Sequence, residues 1–142
     1  MADLNQRNKL EQGRADFAFK KAVQGYNLHR KEYAQFAKKV PMMIKTNGLG
    51  AAAAFMYSKQ KNTPGTVLKH IEEWAATSPD NLKTHLILKN AEGGSFVQKL
   101  LNLNSYEYRI VTMEVLAFIT WVRRFAEGIV KEREEEEKKK QQ

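Results

Sequence analysis

An uninterrupted apolar seam near the C-terminal end constrains the fold of this chain more than any other feature. Its members are spaced alternately three and four positions apart: Tyr108, Val111, Val115, Phe118, Val122, Phe125 and Ile129. This spacing places them all on one face of an α-helix. A second apolar stripe, which includes Trp121, lies beside the seam, so we expect a widely buried, central helix with Trp121 as its strongest core anchor. Ser105 is the predicted N-cap of this helix.

The other apolar patterns also have helical period, and none alternates as a half-buried strand would. Turn signals at Asn47-Gly48, Thr63-Pro64, Ser78-Pro79 and Gly93-Gly94-Ser95 separate the segments. Pro41 falls inside the second segment, where it is expected to kink or restart the helix. The predicted fold is therefore all-α, a single compact bundle of six to seven helices with a long central C-terminal helix.

The chain of 142 residues suits one domain. We place a single helical domain at residues 1–130 and a charged, frayed tail at residues 131–142. The tail holds five basic and five acidic residues, so the body carries the whole net charge of +8. A basic body indicates either a polyanionic partner or a surface charged for solubility, and composition alone does not decide between them.

Several classes of protein are excluded or disfavoured by simple counts. There are no cysteines, which excludes disulfide scaffolds, thiolate metal sites and cysteine nucleophiles. The longest uncharged stretch, Thr46–Ser58, has 13 residues and is too short to cross a bilayer. The first residues, Met1–Phe17, are polar and mixed in charge, unlike a signal peptide. We expect a soluble, cytoplasmic protein without membrane contact.

Few motifs suggest chemistry. Gly48–Ala53 matches the letters of a dinucleotide fingerprint, but a helical pattern precedes it, so a close helix–helix corner is the better interpretation. His70 and Glu73 are three apart on a helix, which is too little for a metal site, and His70 is predicted to lie on the surface. Glu114 lies among apolar residues, where a carboxylate needs a partner, and we expect an Arg or Lys from a neighbouring helix. We predict no catalytic residue, no cofactor and no metal.

The remaining candidates are cations on amphipathic segments. Five of them are predicted to contact nucleic-acid phosphates: Lys38, Lys45, Lys59, Arg123 and Arg124. No zinc finger, RNP sequence or KH loop accompanies them, so the contacts would go to the backbone and shape of the nucleic acid rather than to bases.

Several segments, in order along the chain, resemble one known family. They are Val40–Leu49, His85–Leu88, Tyr106–Arg109, Thr112-x-Glu114-x-Leu116 and Trp121–Ala126. Together they are similar to the small subunit of type III-B CRISPR (Cmr) effector complexes.

The resemblance implies a non-catalytic, all-helical subunit whose copies stack into a short filament beside the backbone subunits that hold the guide RNA. The implied partners are the backbone and other Cmr subunits, further copies of the chain, and the guide and target RNA. Two alternatives remain: a helical adaptor that binds only protein, and an enzyme built around Glu114 and His70. Activity of the isolated chain, lost on Glu114→Gln, would support the enzyme.

Overall fold

The computed structural model describes the backbone of residues 2–141 and the side chains of residues 5–141. Within this range the chain forms seven α-helices and no strand, which confirms the all-α prediction. Met1 and Gln142, the outer ends of the predicted domain and tail, lie outside the described residues. The helices are α1 Ala2–His29, α2 Lys31–Asn47, α3 Leu49–Ser58, α4 Thr63–Ala75, α5 Leu82–Asn90, α6 Phe96–Leu101 and α7 Ser105–Gln141.

Helix α7 is the centre of the bundle, as its apolar seam predicted. It packs against α1, α2, α4 and α5. Helices α1 and α7 run in the same direction, because Arg14 pairs with Glu114 near one end and Tyr26 lies beside Arg133 near the other. Helix α2 returns in the opposite direction and packs against both α1 and α7.

A single residue, Arg30, connects α1 to α2. Its φ of 56° lies in the left-handed region, which residues other than glycine rarely adopt. Close to this turn, α1 and α2 approach tightly at Gly25, where an added Cβ would lie 2.3 Å from the ring of Tyr33. The glycine therefore permits the close crossing of the two helices.

The glycine-rich segment is a helix–helix corner, as predicted. Helix α2 continues through Pro41 without restarting, and Gly48, with φ 90°, ends it by donating its N–H to the carbonyl of Ile44 at 2.8 Å. Helix α3 follows at once, and the N–H of Gly50 donates to the Tyr108 hydroxyl at 2.8 Å. Because a helix precedes the glycines, the segment does not have the strand–turn–helix setting of a dinucleotide site.

The largest fully buried side chain of the core is that of Trp74, and within α7 it is that of Phe118 rather than Trp121. Trp74 on α4 is 1% exposed. Its ring lies 5.4 Å from that of Phe17 and 5.7 Å from that of Phe118, between centroids. Trp121 is only partly buried and stacks on Phe125 at the surface, with centroids 5.5 Å apart. The prediction for Trp121 was wrong because this side chain borders an open surface cleft beside polar residues of α1, whereas the seam faces the core.

Both ends of α7 differ in detail from the sequence prediction. Asn104, one residue before Ser105, is the N-cap: its Oδ1 accepts the N–H of Glu107 at 2.8 Å, and a Glu107 carboxylate oxygen accepts the N–H of Asn104 at 3.2 Å. This reciprocal pair is a capping box. At the other end the helix continues to Gln141, well beyond its last buried residue, Ile129.

The spacing of charges explains how the helix continues without apolar contacts. Glutamates at 134, 135 and 136 precede lysines at 138, 139 and 140 by four positions. Such Glu-to-Lys pairs stabilise an isolated helix by about 0.2–0.5 kcal/mol each. Fraying of residues 131–142 in solution stays a prediction.

None of the helices in the described range combines the length and apolar character needed to span a membrane.

Candidate nucleic-acid interface

Two of the five predicted RNA-contacting cations, Lys38 and Arg123, lie in one groove between α2 and α7. We call this the α2–α7 groove. The residues lining it are Lys31, Ala34, Gln35, Lys38, Arg123, Glu127, Val130, Lys131 and Glu134. Since α2 and α7 run antiparallel, residues from the start of α2 lie opposite residues from the distal part of α7.

The outer face of α2 forms one wall of the groove and extends beyond it. Residues at spacings of four and three form an exposed stripe: Lys31, Gln35, Lys38, Met42 and Lys45. With a rise of about 1.5 Å per residue, Lys31 and Lys45 stand about 21 Å apart along the axis. This places three lysines at intervals of two helical turns on a single face.

The groove carries a positive excess of charge. Four cations line it, from Lys31, Lys38, Arg123 and Lys131, together with the carboxylates of Glu127 and Glu134. Arg123 and Glu127 form a pair at 3.4 Å between side chains that are 39% and 41% exposed. Exposed pairs of this kind contribute little, so Arg123 remains available to a stronger anion.

The other three predicted cations lie elsewhere on the surface. Lys45 is exposed in the last turn of α2, on the same face as Lys38. Lys59 follows the end of α3, and Arg124 is exposed on α7. Neither Lys59 nor Arg124 lines the α2–α7 groove. Arg124 is turned about 100° around the helix from Arg123, which directs it away from α2.

Two cations of the groove, Lys31 and Lys131, were absent from the five predicted residues. The seven-residue spacing of Lys31, Lys38 and Lys45 was a usable signal for the first. Lys131 was assigned to the tail, whose charges cancel in sequence. Its position opposite Lys31 depends on the pairing of α2 with α7, which the sequence pattern does not reveal.

Glu114 has the structural partners that its apolar surroundings predicted. Arg14 donates from Nε to one carboxylate oxygen at 2.7 Å and from Nη2 to the other at 2.8 Å. Trp74 Nε1 donates to the first oxygen at 2.9 Å. The hydrogen bond to Glu114 raises the pKa of Arg14 above its ordinary value, although burial opposes the charge. Both carboxylate oxygens are therefore engaged within the bundle.

His70 is buried, and the prediction of a surface position was wrong. It is 3% exposed, and its Nδ1 lies 2.7 Å from the hydroxyl of Tyr33. Burial lowers the pKa of His70 to about 4, against the opposing effect of Glu73. Burial also raises the pKa of Tyr33, so both rings are neutral near pH 7. Helix α4 packs against α1, α2, α3 and α7, which leaves His70 no outward face.

The nearby polar contacts on α4 join helices. His29 Nε2 lies 2.7 Å from Thr66 Oγ1, and Lys21 forms an ion pair with Glu73. Across the described residues, no group of three or more His, Cys, Asp or Glu side chains is placed to hold a metal ion. The contacts of Glu114, His70 and Glu73 thus stabilise the bundle, and the α2–α7 groove is the strongest candidate for a binding surface.

Comparison with known families agrees with the segments singled out in the sequence. Residues 10–129 match the family model described as "CRISPR-associated protein (Cas_Cmr5)". The match covers α1 from Leu10 onward, the whole of α2 to α6, and α7 up to its last buried residue. The chain therefore belongs to this family of small subunits of the type III-B Cmr complex.

Proposed function

We propose that this subunit supports guide or target RNA within the Cmr complex by holding phosphates along the α2–α7 groove, without catalysing a reaction. The observation that carries the proposal is the convergence of four cations from two helices on one groove. Lys45 continues the positive stripe beyond it. As part of an RNA-guided complex, the subunit is expected in the cytoplasm.

The chemistry of the groove favours contact without sequence preference. Lysine and arginine side chains bind phosphates. The residues that line the groove do not include an array of aromatic and amide side chains that could read base edges. Each phosphate neutralised on a single strand contributes about −0.7 to the slope of log affinity against log salt. Four contacts therefore predict a slope near −3.

The positions of Glu114 and His70, the two residues that could have formed an enzyme site, support the non-catalytic role. Glu114 is engaged by Arg14 and Trp74, and His70 is enclosed against Tyr33. Neither lines the α2–α7 groove.

Replacing the cations of the groove tests the RNA contact. The test variant changes Lys31, Lys38, Arg123 and Lys131 to Ala, and a matched control changes four exposed cations elsewhere: Lys9, Lys61, Lys89 and Arg109. Both lose the same net charge. Fluorescence anisotropy with a labelled single-stranded RNA of about 5 nucleotides, repeated across salt concentrations, should show a slope near −3 for wild type and control. For the groove variant the slope should approach zero. Equal losses in both variants would indicate attraction by net charge alone.

We also propose that copies of the subunit stack in the assembled complex. Large apolar side chains are exposed on α5, at the end of α6 and on the first turns of α7: Leu82, Leu86, Leu101, Tyr106 and Met113. Within the apolar stretch Phe96–Leu103, Leu101 is strongly exposed, at 72%, whereas Leu100 is buried and Phe96 and Leu103 are partly buried. Apolar surface of this kind favours protein contacts.

Light scattering tests the stacking. The wild-type chain with the backbone subunit should form assemblies with several copies, and Leu101→Ser with Met113→Ser should reduce the copy number. The same apolar residues favour the alternative role as a protein-only adaptor. Unchanged RNA affinity in the groove variant, combined with loss of assembly, would support that adaptor instead.

A further inference from the structure

Two arginines hold their guanidinium groups against one tyrosine at the α1–α2 turn. The Cζ atom of Arg30 lies 5.6 Å from the centroid of the Tyr26 ring, and that of Arg133 lies 5.7 Å from the same centroid. Both distances fall within the range of a cation–π contact. We call these three residues the Tyr26 cluster.

The Tyr26 cluster lines an open polar cavity between the α1–α2 turn and the distal part of α7. Glu136, Glu137 and Lys140 complete its lining. Both arginines are exposed, and the ion pairs described for residues 5–141 do not include either of them. Their N–H groups are thus open to solvent on a cavity whose cations outnumber its carboxylates by three to two.

The cavity adjoins the α2–α7 groove. Arg30 directly precedes Lys31, which lines the groove, and Arg133 follows Lys131 by two residues. The two surfaces therefore meet at the same end of the bundle. A flexible polyanion lying in the groove would reach the Tyr26 cluster as it leaves.

We propose that the Tyr26 cluster is a second site for single-stranded RNA, which holds the nucleotides that emerge from the α2–α7 groove. The inference rests on the proposed function of that groove. A guanidinium donates two parallel hydrogen bonds to a phosphate, and its flat face accepts a stacked base. Contact with the Tyr26 ring holds both groups in place before the strand arrives, which lowers the entropic cost of binding.

Single-stranded RNA fits this site better than a duplex does. In a duplex the bases are paired and stacked on one another, so a guanidinium face offers them no new contact. The carboxylates of Glu136 and Glu137 on one side of the cavity would repel the second phosphate backbone of a duplex.

A length comparison isolates the cluster from the groove. Two labelled oligouridylates are used with the full chain, one of about 5 nucleotides that fits the groove alone and one of about 12 that reaches further. The test variant is Arg30→Gln with Arg133→Gln. Its matched control is Arg7→Gln with Arg109→Gln, which removes two exposed arginines elsewhere. A third variant, Arg30→Lys with Arg133→Lys, keeps the charge but lacks the planar group.

The wild-type chain and the control should bind the longer oligonucleotide more tightly than the shorter one. The glutamine variant should lose about tenfold in affinity for the longer one and stay within about twofold for the shorter. Losing two phosphate contacts should reduce the salt slope for the longer strand by about 1.4. The lysine variant should keep the slope yet bind the longer strand several-fold more weakly than wild type.

Four results would overturn the inference, and they distinguish its failure from failure of the groove proposal. If wild type binds both lengths equally, or if the control loses as much as the glutamine variant, the cluster is not an RNA site and the groove proposal stands. If the glutamine variant binds an acidic peptide less well but RNA equally well, the cluster is a protein contact. If wild type binds neither oligonucleotide, the groove proposal fails as well.

Discussion

Arg14 and Glu114, one hundred positions apart, form a two-point ion pair that joins α1 to α7 inside the bundle. Their side chains are 14% and 10% exposed, and Trp74 completes the hydrogen bonds of the carboxylate. The pair thus ties the parallel helices α1 and α7 to α4. It also explains how a carboxylate is accommodated among the apolar residues of α7.

Breaking this pair should destabilise the fold strongly. Arg14→Ala leaves the Glu114 carboxylate partly buried without its cation, which should lower the free energy of unfolding by about 3 kcal/mol. Urea denaturation followed by circular dichroism measures the change. Lys20→Ala is the control, because its pair with Asp16 joins side chains that are each 67% exposed. That control should cost less than about 0.5 kcal/mol, and similar losses in both variants would contradict the assigned role.

The two tryptophans should differ in their contribution to stability. Trp74→Ala removes a fully enclosed ring and should cost about 3–5 kcal/mol. Trp121→Ala removes a ring that packs on one side against Phe125, so about 1–2 kcal/mol is expected. Denaturant titration of both variants gives the comparison, and an equal or larger loss for Trp121 would show that it is the true anchor.

The sequence predicted the fold well where one periodic pattern dominated. The seam from Tyr108 to Ile129 specified α7 and its central place, and the small residues after Asn47 specified the corner. Predictions about single side chains were weaker. The local sequence patterns around Trp121 and His70 fit a buried and an exposed position equally well. Their burial depends on which helices pack beside them. Leu82 and Leu86 follow the helical apolar spacing of α5, yet they are 49% and 43% exposed.

The candidate site shows the same limit. Lys38 and Arg123 were identified from charge on amphipathic helices, and the structure brings them together. The sequence could not show that α2 lies antiparallel to α7. This pairing brings Lys31 and Lys131 into the α2–α7 groove and leaves Lys59 and Arg124 outside it. Charge patterns indicate which residues face outward, whereas a groove is defined by the pairing of helices.

The free energy of unfolding should decrease at acidic pH because His70 is buried in its neutral form. Its folded pKa of about 4 lies below the unfolded value of about 6.5, so the unfolded chain binds more protons between these values. Stability is therefore retained above pH 6.5 and lost as the pH falls toward 4, by up to about 3 kcal/mol. Glu73, Lys21, Lys69 and His29 are the charged or titratable neighbours that affect this proton.

Denaturation of wild type and His70→Gln across this pH range isolates the effect from the titration of carboxylates. The difference in unfolding free energy between the two proteins should shrink as the pH falls from 6.5 to 4. His85→Gln serves as the control, because His85 is only half-buried. A difference that does not change with pH would contradict the assignment of His70 as the buried neutral histidine.

Replacing Arg30 by glycine should stabilise the fold and weaken RNA binding. The φ of 56° is strained for arginine but not for glycine, so Arg30→Gly should raise the free energy of unfolding by about 1 kcal/mol. It also removes one guanidinium from the Tyr26 cluster. Thermal denaturation and anisotropy with the longer oligonucleotide measure the two effects. Gly48→Ala is the contrasting control and should destabilise, because it places a side chain at φ 90°.

The charged end of α7 should be dispensable for folding. A chain ending at Val130 keeps every buried residue of α7 and should retain its unfolding free energy to within about 1 kcal/mol. In the full chain, amide hydrogens of residues 134–141, beyond the contact of Arg133 with Tyr26, should exchange faster than those before Ile129. They should exchange faster still at high salt, which weakens the Glu–Lys pairs. Strong protection of residues 134–141 would instead indicate a further tertiary contact.

The most direct test is to map RNA cross-links to the subunit in an assembled Cmr complex loaded with guide and target RNA. Ultraviolet cross-linking followed by mass spectrometry identifies the peptides that touch RNA. Cross-links should concentrate on residues 31–45 of α2 and residues 123–134 of α7, and the variant of Lys31, Lys38, Arg123 and Lys131 should lose them while still assembling. Cross-links confined to α5 and α6, or their complete absence from this subunit, would contradict an RNA-supporting groove between α2 and α7.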